Sequence, residues 1–249
     1  MTGPLWVFLH MPKTGGTTFK AHLERYLTWD EQLVEFSNWG RRYRADRELE
    51  EFADRPEEER SKAVVLAGHR LNYGAHRLVP GERDVRYITF LRDPAERCVS
   101  LYNFRKSRGT TQADFVSWYR DEFLTNDMNS IVGFYASRTL PPEMMTDDGT
   151  RMEAARALLE RCWHVGFTDR LSESLDFLCG EIGIPADWTD QRVAGSGEQL
   201  KSPSHPSDGE MIARHITLDA ELRTRIHADR PEDFALYEWA GKAFGTTRN

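Results

Sequence analysis

Apolar residues along the chain switch between the period of a strand and the period of a helix. Leu5 to Leu9 (LWVFL) is a continuous apolar run, as a strand buried on both faces requires. After a glycine turn, Phe19, Leu23, Tyr26 and Leu27 recur at helical spacing and give one apolar face. A second run, Ala63 to Ala67 (AVVLA), ends at Gly68 and His69, and a third, Val85 to Leu91, ends at Arg92. Asp93, Pro94 and Glu96 then spell a helix start: Asp93 can cap, Pro94 suits the first helical position, and Glu96 can bond back. Ala154 to Trp163 reads as helix and Val165 to Phe167 as a short strand. Leu171, Leu175, Leu178 and Ile182 form the buried stripe of another helix. This order predicts an α/β fold of three layers, a central mainly parallel sheet flanked by helices.

Two stretches interrupt the rhythm. Residues 41–60 are highly charged and predict a solvated helix or loop, with a substrate-facing basic patch at Arg41, Arg42 and Arg44 as the alternative. Residues 190–209 are rich in Gly, Ser and Pro and predict a loop. There is no internal repeat, and 249 residues suit one domain spanning 1–249.

Composition narrows the partners. A net charge of -7 argues against general nucleic-acid binding, though not against a local basic pocket. No apolar run approaches the ~20 residues that span a bilayer. The N-terminal residues lack a basic stretch and a small-residue cleavage site, so the expectation is a cytoplasmic protein without membrane contact. Cys98, Cys162 and Cys179 lack metal-ligand spacing and sit in apolar helical stretches, which predicts buried thiols.

The chemistry concentrates in LHMPKTGGTTFKAHL, residues 9–23. The common phosphate loop reads GxxxxGK[ST], with lysine after the second glycine. Here Lys13 precedes Gly15 and Gly16, and Thr17 and Thr18 follow. A glycine turn at a strand's carboxyl end lets backbone N–H groups approach an anion, and the next helix adds the positive end of its dipole. With two hydroxyls and the Lys13 charge, this P-loop-like turn suits a terminal phosphate or a similar oxyanion. Arg92 closes a strand and can pair with Asp93 or Glu96, or hold an oxyanion bidentately. Ser100, eight residues on, returns to the same side after a little over two helical turns. Among the histidines, His69 closes a strand, His10 precedes the turn, His76 lies in a loop and His164 opens a strand.

HMPKTGGTTF, together with ITFLRDPAERCVSLYNF at 88–104, resembles the cofactor-binding pair of carbohydrate-type sulfotransferases. AGHRLNYG at 67–74 resembles the histidine-bearing strand end of the heparan sulfate 2-O-sulfotransferase branch. ARALLERCWHVGFTDRLSESLDFLCGEIGI is similar to a later strand and helix of the same family, so the likeness covers residues 5–185. The resemblance implies 3′-phosphoadenosine-5′-phosphosulfate (PAPS) as sulfuryl donor and adenosine 3′,5′-bisphosphate (PAP) as product. It implies a 5′-phosphosulfate site at Lys13, Thr14, Gly15, Gly16, Thr17 and Thr18, and a 3′-phosphate site at Arg92 and Ser100. Lys13 would then stabilise the leaving oxygen and His69 would act as the base. No metal is demanded, because a sulfonate carries one negative charge. The acceptor would be a hydroxyl compound: a carbohydrate, a lipid, a phenol or a natural product. The family's arginine-containing C-terminal segment has only a weak counterpart in Arg192, Gly195, Gly197 and Lys201. The compact length without an anchor suggests a soluble, bacterial-type enzyme. Two other readings remain: a P-loop kinase using ATP and magnesium, which the lysine order opposes, and a catalytically silent nucleotide-binding protein.

Overall fold

Every residue of Leu5–Leu9 is buried, as its unbroken apolar run requires. In the computed structural model, which describes residues 3–36, 47–140, 147–189 and 215–245, this segment is β1 of a five-stranded sheet. The others are β2 (Leu33–Phe36), β3 (Val65–Gly68), β4 (Val85–Leu91) and β5 (His164–Phe167). All pair in parallel, in the order β2-β3-β1-β4-β5. The apolar pattern does not announce β2: it is four residues long and carries Glu35 among its apolar positions. The second apolar run also begins two residues late, since Ala63 and Val64 precede β3.

Helices cover both faces. On one, α1 (Gly16–Tyr26) lays Phe19 and Leu23 against Trp6 and Phe8. The segment between β2 and β3 includes α2 (Glu48–Ala53) and α3 (Glu57–Arg60), and Phe52 of α2 enters the core. The charged stretch is thus helical in part; Arg41, Arg42 and Arg44 lie outside the described residues, as do positions 190–209 with Arg192, Gly195, Gly197 and Lys201. After β4 come α4 (Pro94–Ser107), α5 (Phe115–Trp118), α6 (Ile131–Ala136) and α7 (Asp148–Arg161). Asp147 caps α7 by accepting from the Thr150 N–H at 2.8 Å, so this helix starts before Ala154 and stops before Trp163. Beyond β5, α8 (Leu171–Ile182) joins α1 on its face. Then α9 (Ala220–Asp229) packs against α4, and α10 (Pro231–Phe244) packs with α6 and α7 on the opposite face. Cys98, Cys162 and Cys179 are buried and unbridged, with Cys162 just past the end of α7.

The strand order places the site. β1 leads through α1 to one edge of the sheet, whereas its neighbour β4 leads to the other edge. Adjacent strands whose connections diverge leave a crevice at their carboxyl ends, the usual ligand position in an open α/β sheet. The glycine turn, His69 and Arg92 all leave the sheet at this end.

One remote contact secures it. Asp233, 2% exposed at the start of α10, accepts from the Ser130 hydroxyl at 2.7 Å and the Val132 N–H at 2.9 Å, fixing the start of α6. Its charge also faces the buried Arg97 guanidinium. Asp233→Ala strips two buried donors of their acceptor and a buried cation of a nearby counter-charge, an expected loss of about 3 kcal/mol in urea unfolding. An unchanged midpoint would show that α6 is held by apolar packing alone.

Candidate functional site

The turn after β1 is tied down from several sides. The His10 N–H donates to Gly68 O at 3.1 Å, joining the ends of β1 and β3. The Thr14 hydroxyl donates to Met11 O at 2.9 Å and closes the turn. Thr168, just after β5, donates to both Thr14 O (2.9 Å) and Leu91 O (3.0 Å), bracing the turn against the end of β4. Thr14 can therefore offer an anion its backbone N–H but not its hydroxyl, which narrows the role expected for it. Thr17 is exposed and Thr18 is buried.

Two backbone positions here are left-handed. Gly15 has φ 94°, natural for glycine, but Lys13 has φ 70°, which costs a residue with a side chain about 1 kcal/mol or more. The consequence is an open helix start. α1 has Gly15 as its N-cap, no side-chain cap and no acidic residue in its first turn. Its leading N–H groups and dipole are thus available to an outside anion.

Side chains from both ends of α4 approach this turn: Arg92 just ahead of the helix, Phe104 in its last turn and Arg108 at its C-cap. Lys13 Nζ lies 4.2 Å from the centre of the Phe104 ring, and the Arg108 guanidinium lies 5.6 Å from the same ring. Burial lowers the Lys13 pKa to about 8, with Arg92 and Arg108 adding repulsion. The structure thus brings Arg92 close to Lys13 and adds Arg108, which the sequence reading did not identify, while Ser100 lies half-buried on α4.

The ordinary ion pair also exists in part. Arg92 Nε meets Glu96 Oε2 at 3.3 Å. Glu96 does not bond back to close a capping box. Its N–H donates to Asp93 Oδ1 at 3.0 Å, while the other Asp93 oxygen takes Arg223 at 2.8 Å.

His69 Nδ1–H donates to the His10 carbonyl at 2.6 Å. A carbonyl can only accept, so the neutral ring carries its lone pair on Nε2. Burial lowers the His69 pKa; the His10 carbonyl and Glu35 act upward, while Lys20 and Arg138 act downward. Arg138, just past α6, donates to the His69 carbonyl at 2.5 Å and holds the strand end. His10 is 7% exposed, with its ring stacked on Phe8 at 5.0 Å and 4.3 Å from the His69 ring. Burial and the neighbouring His69, Lys20 and Lys13 push its pKa well down. His10 is therefore a wall and an anchor, and His69 is the more accessible ring. His76 is engaged by Tyr87 Oη at 2.8 Å, and His164 stands at the amino end of β5, away from the crevice, with burial lowering its pKa to about 4.

Among the described residues, no group of three or more His, Cys, Asp or Glu converges to hold a metal ion, and no helix is long and apolar enough to cross a membrane.

No family model matches the chain. No curated protein sequence matches it. Among solved structures, a sulfotransferase from Alicyclobacillus acidocaldarius is similar over 96% of both chains, at 13% identity and a TM-score of 0.47. Mouse sulfotransferase SULT7A1, complexed with PAP, matches 78% of this chain at 18% identity and a TM-score of 0.41. Retinol dehydratase, in a complex with retinol and PAP, matches 77% at 14% identity and a TM-score of 0.36. This chain spans 62% and 63% of the length of those last two. Likenesses this distant carry no inference about the activity of this chain.

Gly16 presents its bare Cα to the His10 ring, and an added Cβ would collide with that ring. The ring has no room to yield, being wedged against Phe8 and His69. Gly16→Ala should cost about 2 kcal/mol in urea unfolding, the usual penalty for overpacking. Gly3→Ala, where an added Cβ meets nothing within 4 Å, serves as the control. Matching midpoints for the two variants would show that His10 is mobile.

Proposed function

We propose that this protein is a sulfotransferase that moves a sulfuryl group from PAPS to an acceptor hydroxyl, releasing PAP. One observation carries the proposal: a partly buried Lys13 shares its crevice with Arg92 and Arg108, beside an uncapped helix start. Arg92 is engaged by Glu96 at 3.3 Å, and the repulsion these cations exert on Lys13 is what a bound anion would relieve. Their spread, from the glycine turn to the start of α4, suits a ligand with two separate anionic groups rather than one. PAPS is such a ligand, and the motifs around Lys13, His69 and Arg92 resemble those of enzymes that use it.

In this reading the N–H groups of Thr14, Gly15, Gly16 and Thr17 and the charge of Lys13 hold the 5′-phosphosulfate, while Thr18, whose N–H donates to Gly15 O at 3.1 Å, closes the turn beneath it. Arg92 and Ser100 hold the 3′-phosphate, with Arg108 adding to the field. PAPS supplies a sulfuryl group attached to a phosphate leaving group. Lys13 acts where negative charge grows on the leaving oxygen, stabilising the transition state more than the ground state. His69 Nε2 takes the proton from the acceptor hydroxyl. The acceptor is a hydroxyl-bearing carbohydrate, lipid, phenol or natural product met in the cytoplasm. The kinase reading needs ATP and magnesium, and a lysine ahead of the glycines fits it poorly.

Thermal unfolding separates these readings. PAP should raise the melting temperature and ATP with magnesium should not; the reverse pattern would overturn the proposal. In steady-state assays, Lys13→Ala should lower turnover ~10²–10³-fold at saturating donor. His69→Ala should lower it ~10²–10⁴-fold and remove the acidic limb of the rate profile. That limb should lie below the ordinary histidine value of 6.5, since burial lowers the pKa and the base works only when neutral. Near-normal turnover in either variant would remove that residue from its role.

Binding should depend on pH in a defined sense. Lys13 loses its charge as the pH rises through about 8 in the unliganded protein, and an anion favours the charged form. PAP affinity should therefore fall above about pH 8, and binding there should take up a proton. Calorimetry in two buffers of different ionisation enthalpy measures that uptake. Lys13→Ala should abolish it; equal uptake in the variant would assign the proton elsewhere.

A further inference from the structure

An ion pair with no part in the mechanism so far sits beside His69. Lys20 Nζ meets Glu35 Oε1 at 2.6 Å, and the two side chains are only 23% and 8% exposed. Glu35 lies on β2 opposite Ala67 of β3, one pair before the Phe36–Gly68 pair at the carboxyl end of the sheet. That end leads directly into His69. Lys20 lies four residues beyond Gly16 on α1, hence on the face that packs against His10. Removing an ion pair from water is costly, and an apolar pair could fill the space without that cost. Its position next to the histidines suggests an electrostatic use.

The charges around His69 come from every side. β1 contributes the His10 carbonyl and ring, α1 contributes Lys20, β2 contributes Glu35, and the segment after α6 contributes Arg138. Among the described residues acting on His69, Glu35 is the only anion. A proton arriving on Nε2 would create an imidazolium beside Lys20 and Arg138, with the Glu35 carboxylate to offset it. We infer that Glu35, held in place by Lys20, is a positioning residue that supplies the counter-charge for proton transfer to His69. The inference rests on the sulfotransferase reading for the source of the proton. As the acceptor oxygen bonds to sulfur, the bond from sulfur to the phosphate oxygen breaks and its electron pair stays on that oxygen. The acceptor's proton passes to His69 Nε2.

The test is an NMR titration of the His69 ring, identified by its absence in His69→Gln. It is run on the unmodified protein, Glu35→Gln, Lys20→Met and the double variant, with PAP binding measured on the same samples. Glu35→Gln removes the anion and should lower the His69 pKa. Lys20→Met removes a cation and should raise it, and the double variant should return close to the original value. Glu35→Asp keeps the charge and should stay near the original value, which provides a second arm if Glu35→Gln does not fold. The acidic limb of the rate profile should move in the same order. A purely structural pair would shift all variants alike or none, and that result would overturn the inference even if PAP binds normally. Failure of the unmodified protein to bind PAP would instead overturn the sulfotransferase reading, while opposite shifts would still establish the Glu35–His69 coupling.

Discussion

A positive charge drawn partly out of water, with two more close by, is the constraint around which the crevice is arranged. Desolvation disfavours the Lys13 ammonium, and Arg92 and Arg108 disfavour it further. The fold tolerates this arrangement because other contacts hold it. The Phe104 ring lies under the ammonium, the left-handed backbone at Lys13 turns the chain toward α4, and Thr168 ties the turn to the end of β4. An anion entering the crevice relieves the repulsion, so the strain in the unliganded protein favours binding. The start of α1 works in the same direction, since no side chain caps its first N–H groups.

The opposite wall of the crevice is organised by β1 as well. His10 gives its carbonyl to His69, its N–H to Gly68 and its ring to Phe8, so one residue links the turn, the base and the core. The glycine turn and the His69 ring are therefore set by the same central strand. A change in β1 would disturb both together. A change in α4 would reach the anion site first.

Much of this arrangement is readable in the chain. A continuous apolar run reveals β1 because it is buried on two faces, a partly alternating run reveals β4, and Asp93 with Pro94 marks the start of α4 through local bonding alone. The glycine turn is legible because its backbone geometry restricts residue type. β2 escapes because Glu35 interrupts its four residues, and the carboxylate is accommodated only by Lys20 from another element. Arg108 escapes for a related reason. It sits sixteen positions from Arg92, at the other end of α4, and only the packing of the turn against this helix brings both near Lys13. That the Thr14 hydroxyl is taken by Met11 O is likewise invisible in the local sequence. What the sequence conceals is pairing between distant elements; what it shows is periodicity and turn chemistry.

The central claim is that the crevice reads two phosphate-like groups on one nucleotide. Its most direct test is calorimetry with PAP and adenosine 5′-phosphate on the unmodified protein and on Arg92→Ala. A charge-assisted hydrogen bond is worth roughly 1.5–3 kcal/mol, or about ten- to a hundredfold in affinity. The unmodified protein should prefer PAP by a factor in that range, and Arg92→Ala should lose most of the preference while still binding adenosine 5′-phosphate. Equal affinity of the unmodified protein for both nucleotides would contradict the account.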